Sequence, residues 1–120
     1  MIDVVDFEKA WLNDRIRYEI GGTLLKCVDP KGMLLLSMER LQQEGPQHAI
    51  LLEDEEVVRK VLTLAAGSTG GPSFARKAKV SATIEKVSGK FSFRMKDVYS
   101  ISILDCLEGP KSISFEPPII

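Results

Sequence analysis

The sequence of 120 residues has few of the side chains that most metal and redox sites use. It contains two cysteines, Cys27 and Cys106, and a single histidine, His48. The cysteines are not spaced as a C-x-x-C pair, and without a secretion signal we expect both to be reduced and packed. A zinc site would have to recruit carboxylates from distant parts of the chain. We therefore expect no metal and no other cofactor.

Long apolar runs and an excess of one charge are also missing. The longest uninterrupted apolar runs, at 33–36 and 49–52, are too short for a transmembrane helix or the core of a signal peptide. Sixteen Lys and Arg against seventeen Asp and Glu give a net charge of -1. No overall positive field therefore attracts nucleic acid or an anionic membrane. We expect a cytoplasmic protein that does not bind membranes.

What the sequence does contain is the composition of an ordinary folded domain. Hydrophobic residues make up 44% and charged residues 28% of the chain, which separates it from disordered sequences. At this length a second independent core is not expected. We divide the single domain into an N-terminal helical segment, a main β domain and an extended C-terminal tail, over residues 1–14, 15–105 and 106–120.

Alternating apolar and charged residues predict a long first strand over 15–28. Ile16, Tyr18 and Ile20 have charged neighbours, which is the period of a half-buried strand. The alternation breaks at Gly21 and Gly22, after which an extended run resumes. Glycines inside a strand pattern mark a bulge or bend, so we predict one bent strand that pairs on both sides and closes a barrel. The alternative is a loop that separates two strands.

The next two predicted strands are apolar on both faces. Residues 29–32 have turn chemistry and should return the chain as a hairpin into a second strand over 33–38. A polar stretch with a Gly-Pro break follows, and then a third strand over 48–53. Because the apolar residues of both strands are continuous rather than alternating, both faces of each strand must be covered.

Two helices are predicted. Asp6 can cap a short N-terminal helix in which Phe7 and Trp11 share one face. The acidic residues 53–56 precede an apolar stripe of helical period over 57–65, which is typical of a helix start followed by an amphipathic helix. The second helix is predicted to end at Gly67, before a glycine-rich connector.

Two further strands follow the connector. Alternating patterns over 79–87 and 91–103 predict the fourth and fifth strands, with a tight turn between them. A bulge near Asp97 and Val98 would keep the fifth strand in phase. The tail after residue 106 has three prolines and no period, so we predict an extended segment that could lie against a neighbouring chain.

This order of elements, with a glycine-containing first strand and a helix between strands three and four, resembles the oligonucleotide/oligosaccharide-binding (OB) fold. The resemblance covers 15 to about 105 and has no signature motif. Residues 79–87 and 91–98 look like the hairpin of strands four and five in bacterial domains similar to tRNA-anticodon-binding barrels. The resemblance implies an all-β fold with minor α, a five-stranded Greek-key barrel with that helix at one end.

Catalytic motifs are not found. Residues 67–72, Gly-Ser-Thr-Gly-Gly-Pro, superficially resemble the segment around the nucleophile of chymotrypsin-like serine proteases. That enzyme assembles its triad between two large barrels, for which this chain is too short. His48, the only candidate base, lies on a predicted strand beside core residues. Both glycine-rich stretches lack the lysine of a phosphate-binding loop. We therefore predict no enzymatic activity.

Single-stranded nucleic-acid binding is the alternative function. Barrels of this class often stack bases on aromatic side chains over a positive groove. Arg94, Lys96 and Tyr99 lie on predicted outward positions of the fifth strand and are the residues we assign to such a surface. The balanced charge counts against it, and the other strand aromatics share parity with the apolar faces. A small ligand or a carbohydrate stays open, because the fold permits either.

The preferred hypothesis is a protein-interaction or assembly domain. Successive strand residues point to opposite faces, so Leu34 and Leu35 cannot both lie in the barrel interior. Leu51 lies in the other strand with this property. One set must be covered by the N-terminal helix, by the tail or by another chain. We predict a homodimer, or docking onto a larger protein partner, through this strand face, with Trp11 near its edge.

Overall fold

The computed structural model describes the chain except for residues 28–30, 45–47, 66–74, 90, 107 and 116–120. The predicted connector after the second helix and half of the first predicted turn lie outside the described residues. Strands account for 49% and helices for 23% of the described residues, so the fold is mostly β as predicted. The strands are β1 (Ile2–Asp3), β2 (Arg17–Cys27), β3 (Gly32–Leu36), β4 (Ile50–Leu52), β5 (Ala75–Lys86), β6 (Phe93–Ile103) and β7 (Lys111–Ser114). The helices are α1 (Phe7–Ala10), α2 (Met38–Glu44) and α3 (Glu55–Ala65).

Five of these strands form a closed barrel in the order β2-β3-β4-β6-β5, and β2 pairs again with β5 to close it. All barrel neighbours are antiparallel except β4 and β6, which are parallel. The short strands β1 and β7 extend the sheet outside the barrel, β1 beside β2 and β7 beside β6. Of the described helices, none is long and apolar enough to cross a membrane.

The closing strand is β2, which pairs with β5 along one edge and with β1 and then β3 along the other. Gly21 and Gly22 lie inside this strand, in unbroken register with β5. The prediction of one long strand pairing on both sides is confirmed, and the alternative of a loop between two strands is wrong. A Cβ on Gly22 would lie 3.0 Å from both Leu36 O and Val4 Cγ1. The glycine lets β3 and the N-terminal segment approach β2 closely.

The barrel interior holds the main hydrophobic core. Side chains of alternate residues point inward, among them the fully buried Ile20, Val80 and Ile101. Helix α3 follows the third barrel strand, and its Val61 is fully buried in the same core. Helix α1 contributes Phe7, whose ring makes edge-to-face contacts in that core. Both predicted helices are therefore confirmed, but the Asp6 side chain makes no capping hydrogen bond to α1.

A second, smaller apolar cluster lies on the outer face of β3 and β4. Its buried members are Leu34, Leu36, Ala49, Leu51 and Phe91, and Leu41 of α2 packs against them. Helix α2 was not predicted, because its sequence is mostly polar and was interpreted only as a break between two strands. A helix with one apolar contact residue has almost no periodic signal, although it is placed to cover the outer cluster.

The C-terminal tail and the fifth barrel strand show two further outcomes. The predicted bulge in β6 is confirmed, because the register against β5 shifts on both sides of Asp97 and Val98. The tail is not simply extended: β7 pairs antiparallel with β6, with Ile113 opposite Ile101. In the described part of the tail, the neighbour of the extended segment is the chain's own barrel.

Candidate binding surfaces

The residues predicted to bind nucleic acid lie on β6, but their charges are already compensated. Arg94 donates from Nε to Glu85 Oε1 at 2.7 Å, and its Nη1 lies 3.5 Å from Glu53 Oε1. The hydrogen bond and the charge of Glu85, with a smaller contribution from Glu53, raise the pKa of Arg94 above its ordinary value. Lys96 pairs with Asp14 at 3.6 Å. These two cations therefore offer little uncompensated charge to a phosphate.

Tyr99 is half-buried rather than free to stack a base. The guanidinium carbon of Arg17 lies 4.6 Å from the Tyr99 ring centroid, which is a cation–π contact. The same guanidinium donates from Nε to Ser81 Oγ at 2.6 Å, and Ser81 is 2% exposed. Arg17 therefore occupies one face of the tyrosine ring and is held there by a buried hydroxyl. Sequence parity placed both residues outward, but it could not show that they cover one another.

The residues predicted to form an interface are covered by the chain itself. Leu35 points into the barrel core, whereas Leu34 and Leu51 lie in the outer cluster and are 4% and 8% exposed. Trp11 is half-buried; its Nε1 donates to Ile84 O at 3.0 Å and its ring packs on Phe93. The apolar surplus inferred from the sequence is real, but α2 and the β5–β6 connection supply its cover.

An exposed apolar surface lies elsewhere. Among the described residues, four large hydrophobic side chains are exposed: Met1, Leu12, Met38 and Leu104. Three of them, Met1, Met38 and Leu104, line one groove of about 500 Å³ whose lining includes Gly21 and Gly22. We name it the methionine groove. Strand parity after Ile103 could have predicted Leu104 as outward, but nothing in the sequence brings it to the two methionines.

Glycine positions one of the groove's side chains. A Cβ on Gly21 would lie 2.9 Å from Met1 Sδ, so the Met1 side chain lies directly over the bare backbone of β2. Three exposed charged residues, Asp3, Glu39 and Lys77, also line the groove. None of the three has an ion-pair partner within the described part of the chain. The groove therefore combines an apolar surface with unpaired charges of both signs.

A second concavity lies between the end of β2, the start of β3 and helix α3. This cleft has a volume of about 660 Å³, and we name it the hairpin cleft. Val58 and Leu62 of α3 line it together with Cys27 and several charged residues. Cys27 is half-buried, packs against the outer cluster and forms no disulfide among the described residues.

His48 lies between two carboxylates that belong to different helices. Its Nδ1 lies 3.2 Å from Glu8 Oε1 and its Nε2 lies 3.3 Å from Glu44 Oε2. Because the two ring nitrogens point in different directions, the two carboxylates cannot converge on one cation through this ring. No group of three His, Cys, Asp or Glu that could hold a metal is found among the described residues. His48 links α1 to α2, and so helps to hold the cover of the outer cluster.

Comparisons of the chain with protein-family models, with curated proteins and with solved structures found no match. The fold therefore defines only a class, a closed five-stranded mixed β-barrel with two extra strands.

Proposed function

We propose that this chain is a non-enzymatic assembly domain on an OB-type barrel, and that it forms a homodimer through the methionine groove. The strand order supports the OB assignment. If the five barrel strands are numbered one to five in chain order, their order around the barrel is one-two-three-five-four, and strand four pairs with strand one. Helix α3 lies between strands three and four in the chain. The parallel contact of β4 with β6 is the pairing of strands three and five. In OB barrels the usual ligand face is that of strands two and three, which correspond to β3 and β4 under this proposal.

That usual ligand face is closed in this chain, which favours protein assembly over nucleic-acid binding. The outer side chains of β3 and β4 are aliphatic, and the two most central, Leu34 and Leu51, are at most 8% exposed. Base stacking needs accessible aromatic rings beside free cations. Beneath α2 this face offers neither.

The observation that carries the proposal is the clustering of exposed apolar side chains. Met1, Met38 and Leu104 are 73%, 37% and 42% exposed, and all three line one groove. Exposed apolar side chains scattered singly are normal, whereas a contiguous patch marks an interaction surface. Methionine side chains are flexible and polarizable, so they adapt to the surface that meets them.

A second copy of the chain is the partner that fits the charges of the groove. A two-fold axis places the same surface on both subunits, so a patch of one charge would repel its copy. The methionine groove has unpaired charges of both signs, Lys77 against Asp3 and Glu39. Lys77 of one copy can therefore face a carboxylate of the other while the apolar side chains meet at the centre. A self-complementary charge pattern supports a homodimer.

Sedimentation velocity over a range of protein concentrations tests the proposal. We expect a reversible dimer that Leu104→Asp weakens by at least about tenfold, since burying an unpaired carboxylate in an interface is costly. Leu12→Asp is the matched control, because Leu12 is 71% exposed and does not line the groove. It should leave the dimer unchanged. A wild-type chain that is monomeric at every concentration, or equal weakening by both variants, would contradict the proposal.

A charge exchange tests the pairing across the two-fold axis. Lys77→Glu should weaken the dimer, and adding Glu39→Lys in the same chain should restore part of the loss. Circular dichroism of each variant establishes that the barrel has folded. Fluorescence anisotropy with single-stranded RNA and DNA covers the alternative: micromolar binding with a steep salt dependence, retained by Leu104→Asp, would favour a nucleic-acid module instead.

A further inference from the structure

The hairpin cleft has an apolar wall that no other described element covers completely. Val58 and Leu62 are four residues apart and so lie on one face of α3. Both side chains are half-buried and pack against the barrel core, which leaves their outer surfaces to line the cleft. The Thr63 hydroxyl, also in the lining, donates to Arg59 O at 2.9 Å, so its donor is already used. The α3 wall of the cleft is therefore suited to an apolar group.

The rim of the cleft carries a local excess of positive charge. Its two carboxylates each have a cation: Glu55 lies 3.2 Å from Lys31 Nζ, and Glu53 lies 3.5 Å from Arg94 Nη1. Lys26 and Arg59 also line the cleft, and neither has an ion-pair partner in the described part of the chain. Two uncompensated cations thus share the cleft with an apolar wall.

We infer that the hairpin cleft binds a small amphipathic anion, an aliphatic chain that ends in a carboxylate or a phosphate. The aliphatic chain packs on Val58 and Leu62, and the anionic group lies between Lys26 and Arg59. The volume of about 660 Å³ is in the range of sites for small organic ligands. Lys26 of β2 and Arg59 of α3 come from different elements, and two cations suit a single anionic group better than an extended polyanion.

This site is separate from the proposed dimer surface. No described residue lines both the hairpin cleft and the methionine groove. Loss of ligand binding and loss of dimerisation are therefore distinguishable, because a variant of the rim should leave sedimentation unchanged.

Isothermal titration calorimetry of the full chain with monomeric decanoate and decyl phosphate tests the inference. We expect saturable binding below about 1 mM, and weaker binding of uncharged decanol. Lys26→Gln and Arg59→Gln should each weaken decanoate binding by about threefold to tenfold, and added salt should weaken it further. Lys86→Gln is the matched control, because Lys86 is exposed, has no ion pair among the described residues and lies outside the cleft.

Two further measurements make the result decisive. Chemical-shift perturbation on adding decanoate should centre on Val58 and Leu62. Sedimentation with vesicles of phosphatidylglycerol distinguishes a free acid from a membrane lipid, and we expect the chain to remain unbound. Equal affinity for decanol and decanoate would overturn the inference, as would equal weakening by Lys86→Gln, or binding to vesicles without binding to monomeric decanoate.

Discussion

The two outer faces of the barrel differ in chemistry although both belong to the same closed sheet. The outer face of β3 and β4 is aliphatic and buried, with Leu34 at 4% exposure beneath α2. The outer face of β5 and β6 is polar, and its side chains form hydrogen bonds with one another. Thr83 and Asp97 exchange two hydrogen bonds. The Oγ atoms of Ser102 and Ser112 are 2.7 Å apart. The aliphatic face needs a covering element, whereas the polar groups of the other face form hydrogen bonds with one another.

This difference shows what an apolar strand pattern does and does not imply. Continuous apolar residues require cover on both faces of a strand. They do not say whether the cover comes from the same chain. Here the seven residues of α2 and the side chain of Phe91 supply it. Among the described residues, the large hydrophobic side chains that stay exposed all lie outside β3 and β4.

The largest expected loss of stability is at Gly32, where a substitution would disturb both faces of β3. This residue has φ +141°, and a Cβ there would lie 2.3 Å from Leu52 O, so β3 would be forced away from β4. We expect Gly32→Ala to lower the free energy of unfolding by about 3 to 5 kcal/mol, from backbone strain plus the collision. Gly89→Ala is the control, because Gly89 has φ +137° with nothing within 4 Å. It should cost about 1 kcal/mol in urea denaturation. Equal costs would show that the collision is unimportant.

The adjacent residues Leu34 and Leu35 of β3 lie on opposite faces of the strand. Leu35→Ala empties a site in the barrel core, where no side of the cavity can collapse, and should cost about 3 to 5 kcal/mol. Leu34→Ala empties a site in the outer cluster, where α2 can settle inward, and should cost about 2 to 3 kcal/mol. Chemical denaturation of both variants measures the difference. A larger cost for Leu34→Ala would mean that the outer cluster, not the barrel core, is the more rigid.

A smaller effect tests whether α2 covers the outer cluster. Leu41 is half-buried and is the α2 side chain that packs against that cluster. Leu41→Ala should cost about 1 to 2 kcal/mol and increase binding of an apolar dye, because the aliphatic face becomes accessible. Gln42→Ala on the exposed side of the same helix should change neither quantity. Unchanged dye binding in Leu41→Ala would show that α2 is not the cover.

The smallest effect is expected on the polar face. Arg17→Gln removes the cation above Tyr99 and the hydrogen bond to Ser81, and should cost about 1 kcal/mol. Arg15→Gln is the matched control, since Arg15 is exposed and has no side-chain partner among the described residues. Thermal denaturation compares the two variants. If Arg17→Gln costs no more than Arg15→Gln, the contacts of Arg17 with Tyr99 and Ser81 do not stabilise the fold.

Much of the barrel was predictable because its signals are local. Strand alternation placed Tyr18 and Phe93 in the core, and acidic residues before an apolar stripe located α3. The bulge in β6 was predictable because the inward parity changes near Asp97. Helix α2 was not, since Leu41 alone carries its contact with the barrel. Neither proposed site was predictable, because each joins residues far apart in the chain.

The sequence by itself determined the five barrel strands, that β2 must bend or split at its glycines, and that β3 and β4 need cover on both faces. These follow from side-chain period and backbone freedom, which are properties of neighbouring residues. Only the tertiary structure decided that α2 provides the cover, that Arg17 lies on Tyr99, and that Met1, Met38 and Leu104 share a groove. Those are contacts between distant residues, and closure of the barrel sets them, because each strand's position is defined only once its two neighbours are in register.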